Sequence, residues 1–373
     1  MLHHTLLITS LSCVHFTVPM WLLSTDRAEL HYFSAPEDVP GGYAILSHVW
    51  GNREQLFHHT PKFDETLPSS RPNARDAASL KVRQICIIAE QDGLRWLWND
   101  TCCIDKSSSA ELSEAINSMY RYYSLSEVCY AYLADVGDTI DGVSFKSSRW
   151  HRRGWTLQEL IAPPLVVFIS SKWEKLGTKA DHATLLSDIT HIPVEMLLME
   201  RPVSSFSIAQ RMSWAYERRT TRVEDRAYSL LGIFSVNMTT IYGEGQRAFQ
   251  RLQEEIMKQS VDPSLFAWGY VSPPDPFKMY GYDSDPVPDH FPDDYQSYLF
   301  AMSPDDFRPD DSGRVTFSYD TSQVTSILWV HLRCLAVFRP IHYLTFHALQ
   351  PGRRGGADFL AYILRRSVAH DVR

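Results

Sequence analysis

The sequence has few cysteines, and their spacing is not that of a zinc-binding or disulfide-rich protein. No C-x-x-C pair occurs, and the six cysteines lie at positions 13, 86, 102, 103, 129 and 334. The adjacent pair would bridge to itself only with strain. This pattern disfavours zinc and predicts reduced thiols, as in a cytosolic protein. We therefore predict no bound metal and no resident cofactor.

Basic residues are also scarce relative to acidic ones. The chain has 36 lysines and arginines against 44 aspartates and glutamates, for a formal net charge of −8. Nucleic-acid-binding surfaces cluster lysine and arginine, and no dense run of either occurs. We expect no nucleic-acid partner.

No clean membrane-spanning run is present. The most apolar stretch, Leu6 to Leu23, is interrupted by threonine, serine and histidine, whereas a span needs about 20 apolar residues. A secretory signal is the less favoured alternative, because no lysine or arginine precedes the run. We predict that residues 1–19 are an N-terminal extension outside the fold. The expected location is cytoplasmic, with no membrane partner.

Two common catalytic motifs are missing. There is no glycine-rich phosphate loop, and the nearest approach, Gly243-Glu-Gly245, is more typical of a helix start. There is no G-x-S-x-G elbow either, which argues against Ser47 as a nucleophile.

What is present is an alternation of short apolar runs and amphipathic segments. With 44% hydrophobic residues the chain can bury a large core. Strands are predicted at Ala44–Val49, Arg95–Asn99, Val128–Leu133 and Leu165–Ile169, with helices between them. This order is typical of an α/β protein with a parallel, doubly wound sheet.

From about residue 205 the pattern becomes helical. We predict an α/β domain over 20–200, a helical lobe packed on it over 201–268, and a Pro/Asp-rich linker with a poorly defined C-terminal segment over 269–373. Capping boxes are predicted at Ser108–Glu111 and Thr221–Glu224. The charged stretch Thr220–Arg226 is interpreted as a solvated capping segment, with pairing to the sheet or to a partner as the alternative.

The most suggestive functional residues are Trp155 and Glu159. Their i, i+4 spacing puts both on one helical face, just after Arg152 and Arg153. A carboxylate early in a helix is often structural, and on the residues alone that interpretation is favoured. A carboxylate beside an indole in a crevice also suits chemistry on a sugar ring, because it stabilises an oxocarbenium-like state.

Further candidates follow the first two predicted strands, where a parallel sheet binds ligands. Asp100 is a candidate for gripping a ribose or a cation, and an Asx turn is the alternative. His48 is either a general base or a hydrogen-bonded rim residue. Gly51 is expected to form a tight turn near a ligand. The predicted substrate-binding set is Trp155, Asp100, Ser47, His48, Trp50 and Gly51.

Three blocks, Tyr43–Gly51, Trp98–Lys106 and Arg149–Pro163, resemble the fungal heterokaryon incompatibility (HET) domain. With further blocks in the same order, the resemblance to HET-E/HET-D-like vegetative incompatibility proteins spans about residues 20–268. It implies non-self recognition during hyphal fusion, with this domain as the effector of cell death. It also implies a separate sensor protein as partner.

HET domains are in turn similar to TIR domains, which have a flavodoxin-like parallel sheet. Some TIR domains cleave NAD with the glutamate of a Trp-x-x-x-Glu helix, and Trp155-Thr-Leu-Gln-Glu159 is similar to that element. The resemblance implies a catalytic Glu159, with NAD as a substrate. It also implies a homo-oligomer on activation. Asn99, where the family usually has an apolar residue, is expected to weaken a buried strand.

Two functions stay open. The first is an NAD glycohydrolase-like enzyme that triggers death. The second is a non-enzymatic adaptor that kills by homotypic assembly and partner recruitment. A degenerate member with neither activity is a third, weaker reading.

Overall fold

The computed structural model describes residues 18–68, 70–140, 142–268 and 300–309. Its centre is a seven-stranded sheet with the strand order β2-β1-β4-β3-β5-β6-β7. The strands are β1 (Met20–Ser24), β2 (Leu30–Phe33), β3 (Ala44–His48), β4 (Trp96–Trp98), β5 (Val128–Tyr132), β6 (Val166–Ile169) and β7 (Lys175–Thr178). Within the described ranges, no helix is long and apolar enough to cross a membrane.

The four central strands, β4-β3-β5-β6, are parallel, as predicted. Ala44 is paired with Leu97 on one side and with Val128 on the other. All five residues of β3 are buried, as expected for a strand covered on both faces. Numbered from β3, the central order is 2-1-3-4, which is the beginning of the flavodoxin-like order. The carboxyl ends of these strands therefore lie at one edge.

Three antiparallel strands flank the predicted parallel core, so the sheet as a whole is mixed. β1 pairs antiparallel with both β2 and β4, and β7 pairs antiparallel with β6. The strands β1, β2 and β7 were not predicted from the sequence. The turn between β1 and β2 is short, and so is the turn between β6 and β7, and short turns can join only antiparallel neighbours.

Helices connect the strands of the sheet. The first six are α1 (Ala74–Ala77), α2 (Leu80–Gln91), α3 (Ser109–Ser124), α4 (Val143–Ser147), α5 (Arg149–Arg152) and α6 (Thr156–Ile161). All six residues of α6 are buried. The Lys179 ammonium caps the carboxyl end of α6 by donating to the carbonyls of Leu160 (3.2 Å) and Pro163 (2.8 Å). A buried helix of this length needs such a partner, because its last carbonyls have none within the helix.

The start of α3 matches half of the predicted capping box. The Ser108 hydroxyl accepts from the Glu111 amide at 3.3 Å. The Glu111 carboxylate does not reach back to Ser108; it accepts from the Asp105 amide at 3.0 Å. The carboxylate thus ties the loop after β4 to this helix instead of closing the box.

Helices continue beyond β7. They are α7 (Ala183–Thr190), α8 (Val194–Leu197), α9 (Ile208–Ser213), α10 (Asp225–Tyr228) and α11 (Arg247–Gln259), with short 3₁₀ turns that include Gly232–Phe234. The segment 300–309 packs here: the Gln253 side chain exchanges hydrogen bonds with the Ala301 backbone (2.9 and 3.0 Å). Residues 1–17 and most of the predicted C-terminal segment lie outside the described residues. The predicted domain boundaries stay predictions.

Asn99 does not disturb a strand, contrary to expectation. β4 ends at Trp98, and Asn99 begins the turn that follows. Its carbonyl accepts from the amides of Cys102 (3.0 Å) and Cys103 (2.8 Å), and its side-chain oxygen accepts from the Thr101 hydroxyl (3.2 Å). The polar group is buried but satisfied, so no desolvation penalty for an unpaired group follows.

Candidate functional site

A cavity of about 290 Å³ opens at the carboxyl edge of the parallel strands. This is the crevice position expected for a ligand in an open α/β sheet. Its lining residues come from β3, the loop after β4, α3, the start of α6 and the 221–242 segment. They are Leu46, His48, Trp50, Asp100, Ile104, Lys106, Leu112, Ile116, Met119, Tyr123, Arg153, Trp155, Glu159, Thr221, Arg222, Asp225 and Tyr242.

Glu159 lies in the wall of this cavity and is 8% exposed. Its carboxylate accepts a short hydrogen bond from the Ser47 hydroxyl. That hydroxyl in turn accepts from Trp150 Nε1 at 2.7 Å. The chain Trp150–Ser47–Glu159 fixes the orientation of the carboxylate, because Ser47 and Trp150 are both fully buried.

The surroundings of Glu159 make it a weak acid. The pKa of its carboxyl group is raised from 4.5 to about 7, chiefly by burial and also by the nearby charge of Asp100. The hydrogen bond from Ser47, the charge of Arg153 and a hydrogen bond from Tyr123 all lower the pKa and leave it near neutrality. A carboxyl group with such a pKa can both accept and return a proton near neutral pH.

The opposite wall comes from the 221–242 segment. Trp155 hydrogen-bonds to Asp225, whose pKa is raised by burial and lowered by that bond and by one from Tyr242. The Tyr242 hydroxyl donates to Asp225 at 3.0 Å, and the Arg222 guanidinium lies 4.2 Å from the centre of the Tyr242 ring. This wall is therefore aromatic, with a cation at its rim.

At the mouth, Trp50 and Asp100 contact each other. The Trp50 indole donates from Nε1 to Asp100 Oδ2 at 2.8 Å, and the Lys106 ammonium lies 3.8 Å from the centre of the indole ring. His48 lies behind them, with Nε2 3.9 Å from Asp100 Oδ1 and 3.7 Å from Glu54 Oε2. Burial lowers the pKa of His48 to about 4, so its ring is neutral at pH 7.

Similarity to known proteins agrees with this architecture. Residues 43–143 match the family model of the heterokaryon incompatibility protein (HET). The chain is also 43% identical over 249 residues to vegetative incompatibility protein HET-E-1 of Podospora anserina. Residues 43–143 are thus similar to a HET domain. The match to HET-E-1 covers 62% of this chain but only 18% of that relative.

Two further comparisons bear on the rest of the chain. Residues 247–331 match a family model described as a domain of unknown function, DUF8212. That match begins at the first residue of α11 and includes the segment 300–309. No solved structure matches the chain.

The structure brings five of the seven predicted site residues to one cavity. These are Glu159, Trp155, Asp100, His48 and Trp50. The helical spacing of Trp155 and Glu159 does place both on the cavity wall. Trp155 is the residue before α6, and its carbonyl accepts from the Glu159 amide at 3.5 Å.

Ser47 and Gly51 do not line the cavity. Ser47 is fully buried behind Glu159, so it positions that carboxylate and cannot touch a ligand directly. Gly51 is in the turn after Trp50, where its amide donates to Glu54 Oε1 at 2.6 Å. It shapes the loop that carries Trp50.

Cys102 and Cys103 follow Asp100 in the loop after β4 and are buried. Burial raises the pKa of Cys102 to about 11, so a thiolate is not formed near pH 7. Both thiols are free, as are those of Cys86 and Cys129. Cys13 and Cys334 lie outside the described residues.

The prediction of a solvated capping segment at Thr220–Arg226 is wrong for its acidic residues. Glu224 is 8% exposed, and its carboxylate accepts from the amides of Gly243 (2.7 Å) and Gly245 (3.0 Å). The residue thus fills the anion-binding turn of those two glycines. Thr221 makes no cap, because α10 begins after Glu224.

Several lining residues of the cavity were not predicted from the sequence. Met119 and Tyr123 share an apolar face of α3 that turns toward the cavity. Tyr242 and Arg222 are distant in sequence from Glu159 and show no motif. The sequence signal that could have found Tyr123 is its i, i+4 spacing from Met119, which places both on one helical face.

A buried arginine connects the late helices to α6. Arg218 donates to the Arg153 carbonyl (3.0 Å) and to the Thr156 hydroxyl (3.1 Å) at the start of that helix. A backbone hydrogen bond joins the same two segments, because the Gly154 amide donates to the Arg219 carbonyl at 2.8 Å. Segment 218–220 therefore helps to set the position of Trp155 and Glu159.

Proposed function

We propose that this HET domain acts in heterokaryon incompatibility as an NAD glycohydrolase, with Glu159 as its catalytic residue. The observation that carries the proposal is the oriented carboxylate of Glu159 in the wall of a partly aromatic cavity at the ligand-binding edge of the sheet. The similarity of Trp155-Thr-Leu-Gln-Glu159 to the corresponding TIR element supports NAD as the substrate. Cell death would follow from loss of NAD.

The proposed reaction breaks the bond between nicotinamide and C1′ of its ribose. Nicotinamide leaves with the bonding electron pair, and the ribose becomes an oxocarbenium-like cation. The ionised Glu159 stabilises that positive charge, as carboxylates do in glycoside hydrolysis. Water then adds to C1′ and releases one proton, which Glu159 accepts and passes to solvent. The products are nicotinamide, ADP-ribose and a proton.

Several neighbours of Glu159 suit this role. Ser47 holds the carboxylate in one orientation, and Arg153 at the rim favours its ionised form. Trp155 and Tyr242 offer flat surfaces for the nicotinamide ring. Another part of the cavity wall is apolar and consists of Leu46, Ile116 and Met119. Low polarity there strengthens the attraction between the carboxylate and the developing cation.

The test is NAD consumption by the purified full-length chain, comparing wild type with Glu159→Gln. Glutamine keeps the size of the side chain and can still accept from Ser47, but it has no charge. We expect the variant to lose at least about 100-fold in rate, since removing one electrostatic stabiliser typically costs this much. Glu200→Gln is the matched control because Glu200 is exposed and far from the cavity lining.

The same variants distinguish the adaptor alternative. In a host cell that expresses the full chain, loss of NAD and arrest of growth should both disappear with Glu159→Gln and persist with Glu200→Gln. Growth arrest at constant NAD in all three strains would contradict the enzyme and favour killing by assembly and partner recruitment.

A further inference from the structure

The mouth of the cavity has three buried polar atoms without a hydrogen-bond partner. They are His48 Nε2, Asp100 Oδ1 and Lys106 Nζ. Buried polar groups in proteins are nearly always paired, so three such atoms at one place require an explanation. His48 is the most telling of them, because its side chain is only 1% exposed and lines the cavity.

These atoms do not satisfy one another. His48 Nε2 lies 3.9 Å from Asp100 Oδ1, and Lys106 Nζ lies 4.0 Å from Asp100 Oδ2. Both separations exceed hydrogen-bonding distance. Asp100 cannot turn its free oxygen away without losing the 2.8 Å bond that its other oxygen accepts from Trp50. The cluster is thus held open with its polar atoms directed at the cavity.

The charges of the cluster restrict the ligand. A phosphate placed here would meet the free oxygen of Asp100, and a metal cation would meet the Lys106 ammonium. A neutral group that both donates and accepts meets neither like charge. It must donate to Asp100 and accept from Lys106. It can also donate to the neutral ring of His48, provided that the ring proton lies on Nδ1.

We propose that His48, Asp100 and Lys106 form a subsite for the vicinal diol of a ribose, with the Trp50 indole as its rim. Two adjacent hydroxyls supply two donors and several acceptors, which is the set that these three atoms need. The subsite makes the cavity selective for ribosyl over 2′-deoxyribosyl ligands. This inference rests on the proposed function, because it places the ribose whose C1′ cation Glu159 stabilises.

Binding can be measured without turnover in the Glu159→Gln variant of the full chain, by calorimetric titration. The probes are nicotinamide riboside and its 2′-deoxy analogue, which differ in one hydroxyl. We expect the riboside to bind at least about tenfold more tightly, because a site built for a hydroxyl rejects the analogue that lacks it.

Asp100→Asn, made in the Glu159→Gln background, tests the residue itself. The asparagine oxygen can still accept from Trp50, which leaves an NH₂ group facing the diol where an acceptor was. The riboside should then bind at least about tenfold more weakly, and the preference over the deoxy analogue should disappear. Asp188→Asn is the control, since Asp188 is exposed on α7, away from the cavity.

Equal binding of the two probes, no binding of either, or an unchanged preference in Asp100→Asn would each overturn the subsite. If Asp100→Asn does not fold, Lys106→Met gives the same test through the ammonium, with the same expected loss. Failure of NAD hydrolysis is a separate result, because the titrations need no reaction. A diol preference without hydrolysis would keep the subsite and remove the proposed enzyme.

Discussion

Glu159 makes the pH dependence of stability testable at the level of one residue. Its carboxyl pKa is about 7 in the folded protein against an ordinary 4.5, because burial disfavours the charged form. Between these values the folded state binds more protons than the unfolded state, so stability falls as pH rises. The loss approaches about 3 kcal/mol once pH exceeds the folded pKa.

Glu159→Gln removes this titration while preserving the shape of the side chain. We predict that the free energy of unfolding of the variant, relative to that of the wild type, rises by about 2 kcal/mol from about pH 5 to about pH 8. Chemical denaturation at the two pH values measures the difference. Glu200→Gln should track the wild type at both, and a Glu159→Gln advantage that does not grow with pH would contradict the raised pKa.

Only some of the site residues could be predicted from the sequence. Trp155 and Glu159 were found because helical spacing is visible in the sequence, and Asp100 because it follows a strand. Ser47 was assigned to the ligand, yet it binds Glu159 from behind. The alternation of a strand predicts which side a residue faces, but it does not reveal which distant side chain fills that side.

At the scale of elements, the contact of α3 with the 3₁₀ turn Gly232–Phe234 fixes one wall of the cavity. A Cβ added at Gly232 would lie 2.0 Å from Tyr120 Cβ, so no side chain fits unless the helix moves. We predict that Gly232→Ala costs about 3 kcal/mol of stability, at the upper end for overpacking. Because α3 also carries Ile116 and Met119, binding in the cavity should weaken.

Gly137→Ala is the matched control, because no atom lies within 4 Å of its added Cβ. Denaturation curves of the two variants measure the difference. A change in Gly137→Ala of less than about 0.5 kcal/mol is expected, since the site has room and the unfolded chain loses entropy. Equal effects of the two substitutions would show that α3 does not depend on this close approach.

The central strands and the longest helices were predictable because each is a local apolar pattern. The antiparallel edge strands β2 and β7 were not, because their polar residues give weak strand signals and their place is set by pairing. β7 is exposed or half-buried throughout, and Gly177 lies within it. Whether such an edge segment forms a strand depends more on pairing with its neighbour than on its own residues.

On the scale of the whole molecule, Asp305 joins the segment 300–309 to the late helices. Its carboxylate accepts from Arg226 (2.6 Å), from Arg219 (3.1 Å) and from the Glu217 amide (2.9 Å). Glu217 directly precedes the segment 218–220 and Arg219 lies within it, and Arg218 and Arg219 contact the chain at the start of α6. A carboxylate far along the chain is therefore connected to the position of Glu159 by hydrogen bonds and backbone pairing.

We predict that Asp305→Asn lowers stability by about 1 kcal/mol, since the ion pairs are partly exposed and the amide keeps part of the hydrogen bonding. Hydrogen exchange is the sharper measurement. The Glu217 and Gly154 amides should exchange faster, because the first keeps only a neutral, weaker acceptor and the second pairs with the loosened segment. Asp188→Asn should change neither. Faster exchange at Glu217 alone would mean that the segment 300–309 is attached to the late helices without influence on α6.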